Sequence, residues 1–184
     1  CEAATDFEQA VALDSKLVMA YYGRGEAAFY QGRLSDALRD FTRVTILRPG
    51  MALGYQGQGS VWMAKGNYRK ATEAFREVTR LQPHSWRGFY ARSECLAALG
   101  DVAGAVAVLD TSLMTRGGNY SLYVLRARLL GKQGDYDRAV SDIDSARAIA
   151  DYNPSLLSTE GYFQYKRGRP AEARRDWEEA KRRG

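Results

Sequence analysis

Residues 52–85 read ALGYQGQGSVWMAKGNYRKATEAFREVTRLQPHS, and this stretch sets the pattern for the whole chain. In each half, apolar or small residues fall at i, i+4 and i+7, the spacing of one face of an α-helix. These residues are Tyr55, Gly59 and Trp62, then Ala71, Phe75 and Val78. Between the halves, Gly66 and Asn67 predict a turn followed by a helix-capping residue. Pro83 ends the second helix, because proline cannot continue a helix interior. The stretch therefore predicts two helices joined by a tight turn.

These features return every 34 residues along the chain. Four series recur in phase: the turn glycine, a small residue on the first helix, an alanine on the second helix, and a large residue four positions further on. The members are Gly32, Gly66, Gly100, Gly134 and Gly168; Gly25, Gly59, Ser93, Ala127 and Gly161; Ala37, Ala71, Ala105, Ala139 and Ala173; and Phe41, Phe75, Leu109, Ile143 and Trp177. A fixed period of this kind is the signature of stacked repeats. We expect the small residues to let paired helices approach closely, with the large residues filling the space beside them.

Polar residues follow the same period. Asp101 and Asp135 stand where Asn67 does, so each is expected to cap the helix that follows it. Arg24, Arg92 and Arg126 share one repeat position and are expected to belong to the packing pattern rather than to a free basic surface.

This pattern resembles the tetratricopeptide repeat (TPR) family, whose repeat reads W-x2-L-G-x2-Y, then A-x3-F, then P. The matching residues in the first two full units are Tyr21, Gly25, Ala37, Phe41 and Pro49, then Tyr55, Gly59, Trp62, Ala71, Phe75 and Pro83. In the next two units Ser93 and Ala127 replace the glycine, and Gly117 and Asp151 replace the closing proline. The resemblance implies an all-α, right-handed superhelical solenoid of helix-turn-helix units. It also implies a scaffold that binds other proteins without catalysing a reaction.

The period divides the chain into one partial unit and five repeats. We expect residues 1–17 to form the second helix of a truncated repeat, followed by units at 18–51, 52–85, 86–119, 120–153 and 154–184, the last with a polar capping helix. The unbroken period favours one array over two domains. The missing first helix leaves Phe7, Val11 and Leu13 partly uncovered. We predict association through this N-terminal edge, either with a preceding repeat of the full protein or with another copy of the chain.

No motif predicts catalysis, a cofactor or a metal. The single histidine, His84, follows Pro83 in an expected turn, so a two-histidine zinc motif is excluded. Gly54 and Gly57 fall inside a helix pattern rather than in a phosphate-binding loop after a strand. Cys95 lies among apolar residues and is interpreted as a small buried hydrophobe. No stretch approaches the roughly 18 apolar residues of a membrane span. The net charge of +5 permits an acidic partner without requiring nucleic acid.

In the resembled fold the first helices line a concave groove that receives a peptide or a helix of a partner. The residues expected to line it, with Val124 and Ser158 beside them, are Tyr22, Glu26, Tyr30, Gln56, Met63, Arg87, Tyr90, Glu94, Arg128, Lys132, Tyr162, Tyr165 and Lys166. Tyrosine, methionine and arginine are enriched in protein interfaces. The alternative is that individual rings only fill gaps between repeats. The set predicts a protein or peptide partner with apolar anchors and acidic residues.

Three other interpretations differ in what they require. TPR proteins that grip the C-terminal carboxylate of heat-shock chaperones need basic and amide residues at set positions, which here hold Tyr22, Glu26, Gly57, Arg87 and Ala91; only Arg87 fits. An RNA-binding helical-repeat module would bind phosphates, which Glu26 and Glu94 would repel, and its binding would weaken steeply with salt. The chain could also be a regulatory TPR module of a larger protein, which the full-length sequence would decide.

Overall fold

A computed structural model describes residues 2–14, 16–116, 118–150 and 153–183, and within these ranges all regular secondary structure is helical. The helices are α1 (Glu2–Leu13), α2 (Val18–Tyr30), α3 (Leu34–Leu47), α4 (Ala52–Ala64), α5 (Tyr68–Leu81), α6 (Trp86–Ala98), α7 (Val102–Arg116), α8 (Tyr120–Gln133), α9 (Tyr136–Ile149), α10 (Pro154–Lys166) and α11 (Pro170–Arg183). The first helices of the repeats begin at residues 18, 52, 86, 120 and 154, which is the 34-residue period. The prediction of an all-α solenoid of helix-turn-helix units is confirmed.

The turns inside the repeats have the chemistry that the period predicts. Each turn glycine has a positive φ, between 70° and 84°, a conformation that side chains with a Cβ rarely adopt. The next residue then caps the second helix. The Oδ1 atom of Asn67 accepts from the amide of Lys70 at 3.1 Å, and the Oδ1 atom of Asp135 accepts from the amide of Arg138 at 3.3 Å. Asp101 makes the same bond to the amide of Gly104 at 2.9 Å, so the predicted caps are confirmed.

The small residues stand where two helices meet. All five alanines of the repeating series have no exposed surface. A Cβ added to Gly59 would lie 2.7 Å from the ring of Phe75, and one added to Gly57 would lie 2.5 Å from the ring of Phe41. Gly59 therefore admits the large residue of its own repeat, whereas Gly57 admits that of the preceding repeat. These glycines serve helix packing, as the sequence predicted.

Trp177 departs from its series. Phe41, Phe75, Leu109 and Ile143 are buried, whereas Trp177 is 42% exposed. One edge of its indole packs closely on Gly161, and its Nε1 donates to the carbonyl oxygen of Ser158 at 3.1 Å. The indole therefore remains partly exposed while its edge contacts α10.

Two compact units divide the chain, and each is described by itself. Unit 1 comprises Cys1–Leu99 and unit 2 comprises Gly100–Gly184. The core of unit 1 contains two clusters, one around Phe41 and Val61 and one around Phe75 and Val78. The fully buried large residues of unit 2 are Leu109, Leu122, Leu129, Leu130 and Ile143. The 34-residue period continues across this division, and the repeat boundaries and the single array stay predictions. Each element of a repeat array contacts only its neighbours, so local packing rather than the period decides compactness.

The N-terminal helix leaves part of its apolar surface uncovered. Phe7 packs against Gly23 of α2 and is half-buried, as is Val11, whereas Leu13 is 89% exposed. Self-association through this edge stays a prediction. The replacements of the closing proline, Gly117 and Asp151, lie outside the described residues.

Candidate functional site

The first helices of the last two repeats, α8 and α10, form the walls of an open pocket in unit 2. Its volume is about 540 Å³. The lining residues are Val124, Arg128, Gly131, Lys132, Ile143, Leu156, Ser158, Thr159, Tyr162 and Phe163. Such a size falls within the range of small-molecule and side-chain pockets, which are apolar with a few polar groups.

The floor of this α8–α10 pocket is apolar and firmly packed. Ile143, Leu156 and Phe163 are each at most 4% exposed. A Cβ at Gly131 would lie 2.5 Å from the ring of Phe163, so this position needs a glycine for the ring to rest against α8. Other repeats carry Phe29, Met63, Ala97 and Tyr165 at the position of Gly131. The absence of a Cβ at Gly131 therefore makes room for the ring of Phe163, which forms part of the pocket floor.

The rim of the pocket is basic. Arg128 and Lys132 are exposed, and neither forms an ion pair within the described parts of the chain. Tyr162 is 48% exposed, and the Nζ atom of Lys166 lies 5.6 Å from the centroid of its ring. The lining contains no carboxylate. An apolar floor below unpaired cations suits a ligand that is both apolar and acidic.

The structure brings together most of the groove residues predicted in unit 2. Arg128, Lys132 and Tyr162 line the pocket, and Lys166 contacts the ring of Tyr162. Tyr165 is placed elsewhere, because its ring packs against Trp177 of α11 at a centroid distance of 6.2 Å. Sequence reasoning did not name Ile143, Leu156, Phe163 or Gly131 as part of a site, since their spacing is that of core residues.

The groove residues predicted on α2 in unit 1 differ in their contacts: Tyr22 packs inside the unit, whereas Tyr30 is exposed. The hydroxyl of Tyr22 donates to Glu26 at 2.8 Å, and its ring lies 5.8 Å from that of Phe41. Burial, reinforced by the bond to Glu26, raises the pKa of Tyr22 above its ordinary value. Tyr30 is different, because it is 83% exposed. The gap-filling alternative therefore holds in part for Tyr22 and not for Tyr30.

The groove residues predicted on α4 and α6 also differ in their burial and contacts. Met63 packs against the cluster around Phe75, and Gln56 is half-buried. On α6, Trp86 is flanked by Tyr90, edge-on at 6.1 Å, and by the guanidinium of Arg87 at 5.1 Å from the ring centroid. Glu94 is half-buried.

Cys95 is fully buried, as its interpretation as a small hydrophobe predicts. Burial, with a smaller contribution from Glu94, raises the pKa of its thiol to about 11. The thiol is therefore protonated at neutral pH and is a poor nucleophile.

A second pocket, in unit 1, lies between α2 and α3 and has a volume of about 570 Å³. It contains none of the predicted groove residues. Its lining is Tyr21, Arg24, Ser35, Leu38, Arg39, Asp40, Thr42, Arg43 and Ile46. Arg24 is one of these residues, and its position in the other repeats holds Gln58, Arg92, Arg126 and Glu160.

The position of Arg24 carries buried ion pairs in two repeats. Arg24 donates two bonds of 2.7 Å to Asp40, which is 2% exposed. Arg126 donates bonds of 2.8 and 2.6 Å to Asp142 and one of 2.7 Å to Asp110. The bond to Asp142 is the main reason that the pKa of Arg126 is raised. The interpretation of Arg24 and Arg126 as packing residues is confirmed.

The last repeat reverses the charge at this position. Glu160 is buried and accepts a bond of 2.7 Å from Arg147 of α9. Asp176 of α11 has a buried Oδ2 atom without a hydrogen-bond partner within the described ranges. Burial is the main cause that raises the pKa values of both carboxyl groups, and Asp144 raises both further.

Replacing Asp176 by asparagine is expected to stabilise unit 2 at neutral pH. A raised pKa means that the folded state favours the protonated group. The protonated carboxyl group of Asp176 therefore stabilises the folded state below the unfolded pKa of about 3.9. This stabilisation is lost as the pH rises through the folded pKa. The groups facing Asp176 include Arg147 and Arg175, which oppose the shift, and the side chain is partly solvated. We therefore expect a gain of only about 0.5 kcal/mol at pH 7.

Urea unfolding of the parent and Asp176→Asn proteins at pH 7 and pH 3 tests this expectation. The gain should vanish at pH 3, where Asp176 is neutral in both states. Glu178→Gln, which removes an exposed charge from the same helix, is the matched control and should change little. An equal gain at both pH values would mean that shape, not charge, is responsible.

Among the described residues no group of three histidine, cysteine or acidic side chains is arranged to hold a metal ion. None of the described helices combines the length and apolar character needed to cross a membrane.

An array of paired helices with an open pocket on its first helices defines a helical-repeat scaffold of the kind that binds proteins. The sequence profile described as tetratricopeptide repeat matches residues 2–52, 57–121 and 124–183, and the chain belongs to the TPR family. The family is one of protein-interaction modules, whose members bind protein or peptide partners. A comparison with curated protein sequences found no match.

Solved structures of TPR proteins resemble this chain over most of its length. "YrrB: a TPR protein with an unusual peptide-binding site" is 18% identical, with a TM-score of 0.79, over 97% of this chain and 92% of that chain. MamA residues 41-end from Desulfovibrio magneticus RS-1 is 14% identical, with a TM-score of 0.78, over 90% and 93% of the two chains. TTC0263, a TPR protein from Thermus thermophilus, is 20% identical, with a TM-score of 0.63, over 91% of each chain. At these identities the likeness shows the fold alone.

Proposed function

We propose that this chain is a non-enzymatic scaffold that binds a segment of a partner protein in the α8–α10 pocket. The segment carries an apolar side chain with acidic residues beside it. The observation that carries the proposal is the combination of a packed apolar floor with a rim of cations that lack carboxylate partners in the described residues.

The two parts of the pocket act on different parts of the segment. An apolar side chain on Leu156 and Phe163 loses contact with water, which contributes about 25 cal/mol per Å² of buried apolar surface. Arg128 can receive a carboxylate in two parallel hydrogen bonds. Tyr162 offers a large ring with few rotatable bonds, so holding it in place costs little entropy.

Unit 1, taken by itself, offers aromatic and basic residues that are not part of this pocket. Tyr30 is exposed, and Trp86 with Arg87 and Tyr90 forms an aromatic and basic patch on α6. The YrrB structure is described as having a peptide-binding site, which supports peptide binding as a function that this fold allows.

A peptide library displayed on phage, with about twelve random positions, tests the proposal on the full chain. Selected peptides should share an apolar residue flanked by Asp or Glu. A Tyr162→Ala, Arg128→Ala variant should bind them at least about tenfold more weakly, because truncating a central anchor typically costs more than about 1 kcal/mol. Binding is measured by fluorescence anisotropy with a labelled peptide.

The matched control is Tyr165→Ala, Arg174→Ala, which removes the same two residue types outside the pocket. It should bind the peptides like the parent protein. If the two double variants bind equally well, the pocket is not the binding site. Enrichment of peptides without acidic residues would contradict the role of the basic rim.

RNA binding is separated by its dependence on salt. Single-stranded RNA held through several phosphates should lose affinity by orders of magnitude between about 50 and 200 mM salt. A peptide held mainly by an apolar anchor should weaken much less. A steep loss of oligonucleotide binding that also requires Arg128 and Lys132 would favour the RNA interpretation.

A further inference from the structure

The α8–α10 pocket opens at a repeat position that carries a tyrosine in two of the earlier repeats. The residues at this position of the first helices are Tyr22, Gln56, Tyr90, Val124 and Ser158. Val124 and Ser158 both line the pocket, one on each wall. The first and third repeats therefore have a large ring at the position where the walls of the pocket have a small side chain.

The contacts of Tyr22 show what such a ring does within its own repeat. It packs against the large residue of the second helix, with 5.8 Å between the ring centroids of Tyr22 and Phe41. The equivalents of these two residues in the fourth repeat are Val124 and Ile143, and both line the pocket. Because valine has no ring, the place that Tyr22 takes beside Phe41 is open beside Ile143.

The charge next to this place is reversed as well. The hydroxyl of Tyr22 donates to Glu26, one turn further along α2. The third repeat has Glu94 at the position of Glu26, whereas the fourth repeat has Arg128. A guanidinium binds a carboxylate through two parallel hydrogen bonds. The fourth repeat thus offers space for a ring beside a cation, where the first repeat has a ring beside a carboxylate.

The wall formed by α10 suits an aromatic ring in particular. Tyr162 is 48% exposed, and its ring centroid lies 5.7 Å from that of Phe163, which in turn lies 6.2 Å from that of Tyr136. Aromatic rings favour offset or edge-on pairs at about 4.5–7 Å, which stabilise beyond the area that they bury. A ring from a ligand extends this row of rings at Tyr162, and an aliphatic side chain does not.

We infer that the apolar anchor of the partner segment is an aromatic side chain, phenylalanine or tyrosine, with an aspartate or glutamate next to it. The ring packs on Val124 and Ile143 beside Tyr162, and the carboxylate binds Arg128. This inference rests on the proposed function and specifies the residue that the pocket selects. Val124 and Ser158 are then specificity-determining residues, because their small side chains leave room for the ring.

Three short peptides test this preference on the full chain. Each has two aspartates on either side of a central residue, which is phenylalanine, leucine or alanine, and calorimetric titration measures each Kd. The phenylalanine peptide should bind about two- to tenfold more tightly than the leucine peptide, which is the ratio that an aromatic pair adds. Equal or tighter binding of the leucine peptide would overturn this inference and leave the proposed function intact. Absence of binding by all three peptides would contradict both.

Val124→Tyr supplies the ring from within the chain. It should weaken binding of the phenylalanine peptide by at least about tenfold, because the two rings compete for one place. Val124→Thr, which has a similar shape and no ring, is the matched control and should bind like the parent. Ser158→Tyr fills the pocket from the other wall and should also weaken binding. Circular dichroism melting establishes that each variant is folded, and unchanged binding by both tyrosine variants would overturn the inference.

Discussion

Phe75→Ala is expected to lower the free energy of unfolding by about 3–5 kcal/mol, the usual cost of truncating a buried aromatic ring. Phe75 is 3% exposed and lies in one cluster with Ala71, Val78 and Cys95. Its ring also fills the space that Gly59 leaves on α4. Removing the ring leaves a cavity between two helices that the alanine and glycine series hold close. Urea unfolding followed by circular dichroism measures the loss.

A double-mutant cycle shows whether Phe75 and Gly59 are coupled. Gly59→Val alone should destabilise, because its side chain would collide with the ring of Phe75. In the Phe75→Ala background that collision disappears, so the double variant should cost less than the sum of the two single changes. Tyr30→Ala, which truncates an exposed ring in the same unit, should stay within about 0.5 kcal/mol of the parent. Strict additivity would show that the ring and the glycine are not in contact.

Asp142→Ala is expected to cost about 3 kcal/mol, because it leaves Arg126 without its main buried partner. The side chains of Asp142 and Arg126 are 4% and 17% exposed, so water replaces the lost bonds poorly. Asp110 still accepts one bond from Arg126, which places the expected cost at the lower end for a broken buried pair. Thermal and urea unfolding of the full chain measure the effect.

The matched control for Asp142→Ala is Asp137→Ala. Asp137 is 80% exposed, and its ion pair with Arg167 should be worth at most about 1 kcal/mol. A third variant, Arg126→Met with Asp142→Leu, replaces the pair by apolar groups of similar volume and should come close to the parent stability. Equal costs for the two single aspartate changes would contradict a buried role for Asp142.

The repeat could be predicted from the amino-acid sequence, because it depends on interactions between residues that are close along the chain. The 34-residue period identified the helix pairs, because helix faces, turn glycines and caps are properties of neighbouring residues. The positive φ of Gly134, the cap at Asp135 and the close packing of Gly59 on Phe75 all follow from that order. The sequence also placed Arg128, Lys132 and Tyr162 on one exposed stripe, and these three residues meet in one pocket.

The sequence pattern did not predict which individual side chains of different helices contact each other. Tyr165 shares the spacing of the groove residues and is 57% exposed, yet its ring contacts Trp177 of α11 rather than lining the α8–α10 pocket. Tyr22 likewise belongs to the stripe, but its ring lies 5.8 Å from that of Phe41 on α3. A periodic pattern identifies the face of a helix, whereas the neighbouring helix decides which side chains that face contacts.

The sequence by itself determined the repeat, the positions of the helices and the residues at which two helices touch. The tertiary structure alone decided that Gly131 makes room for the ring of Phe163, and that Arg126 bonds both Asp142 and Asp110. The physical reason is that the period arises from interactions between residues that are close in sequence. Pockets and ion pairs instead depend on side chains brought together from different helices, at distances that only packing sets.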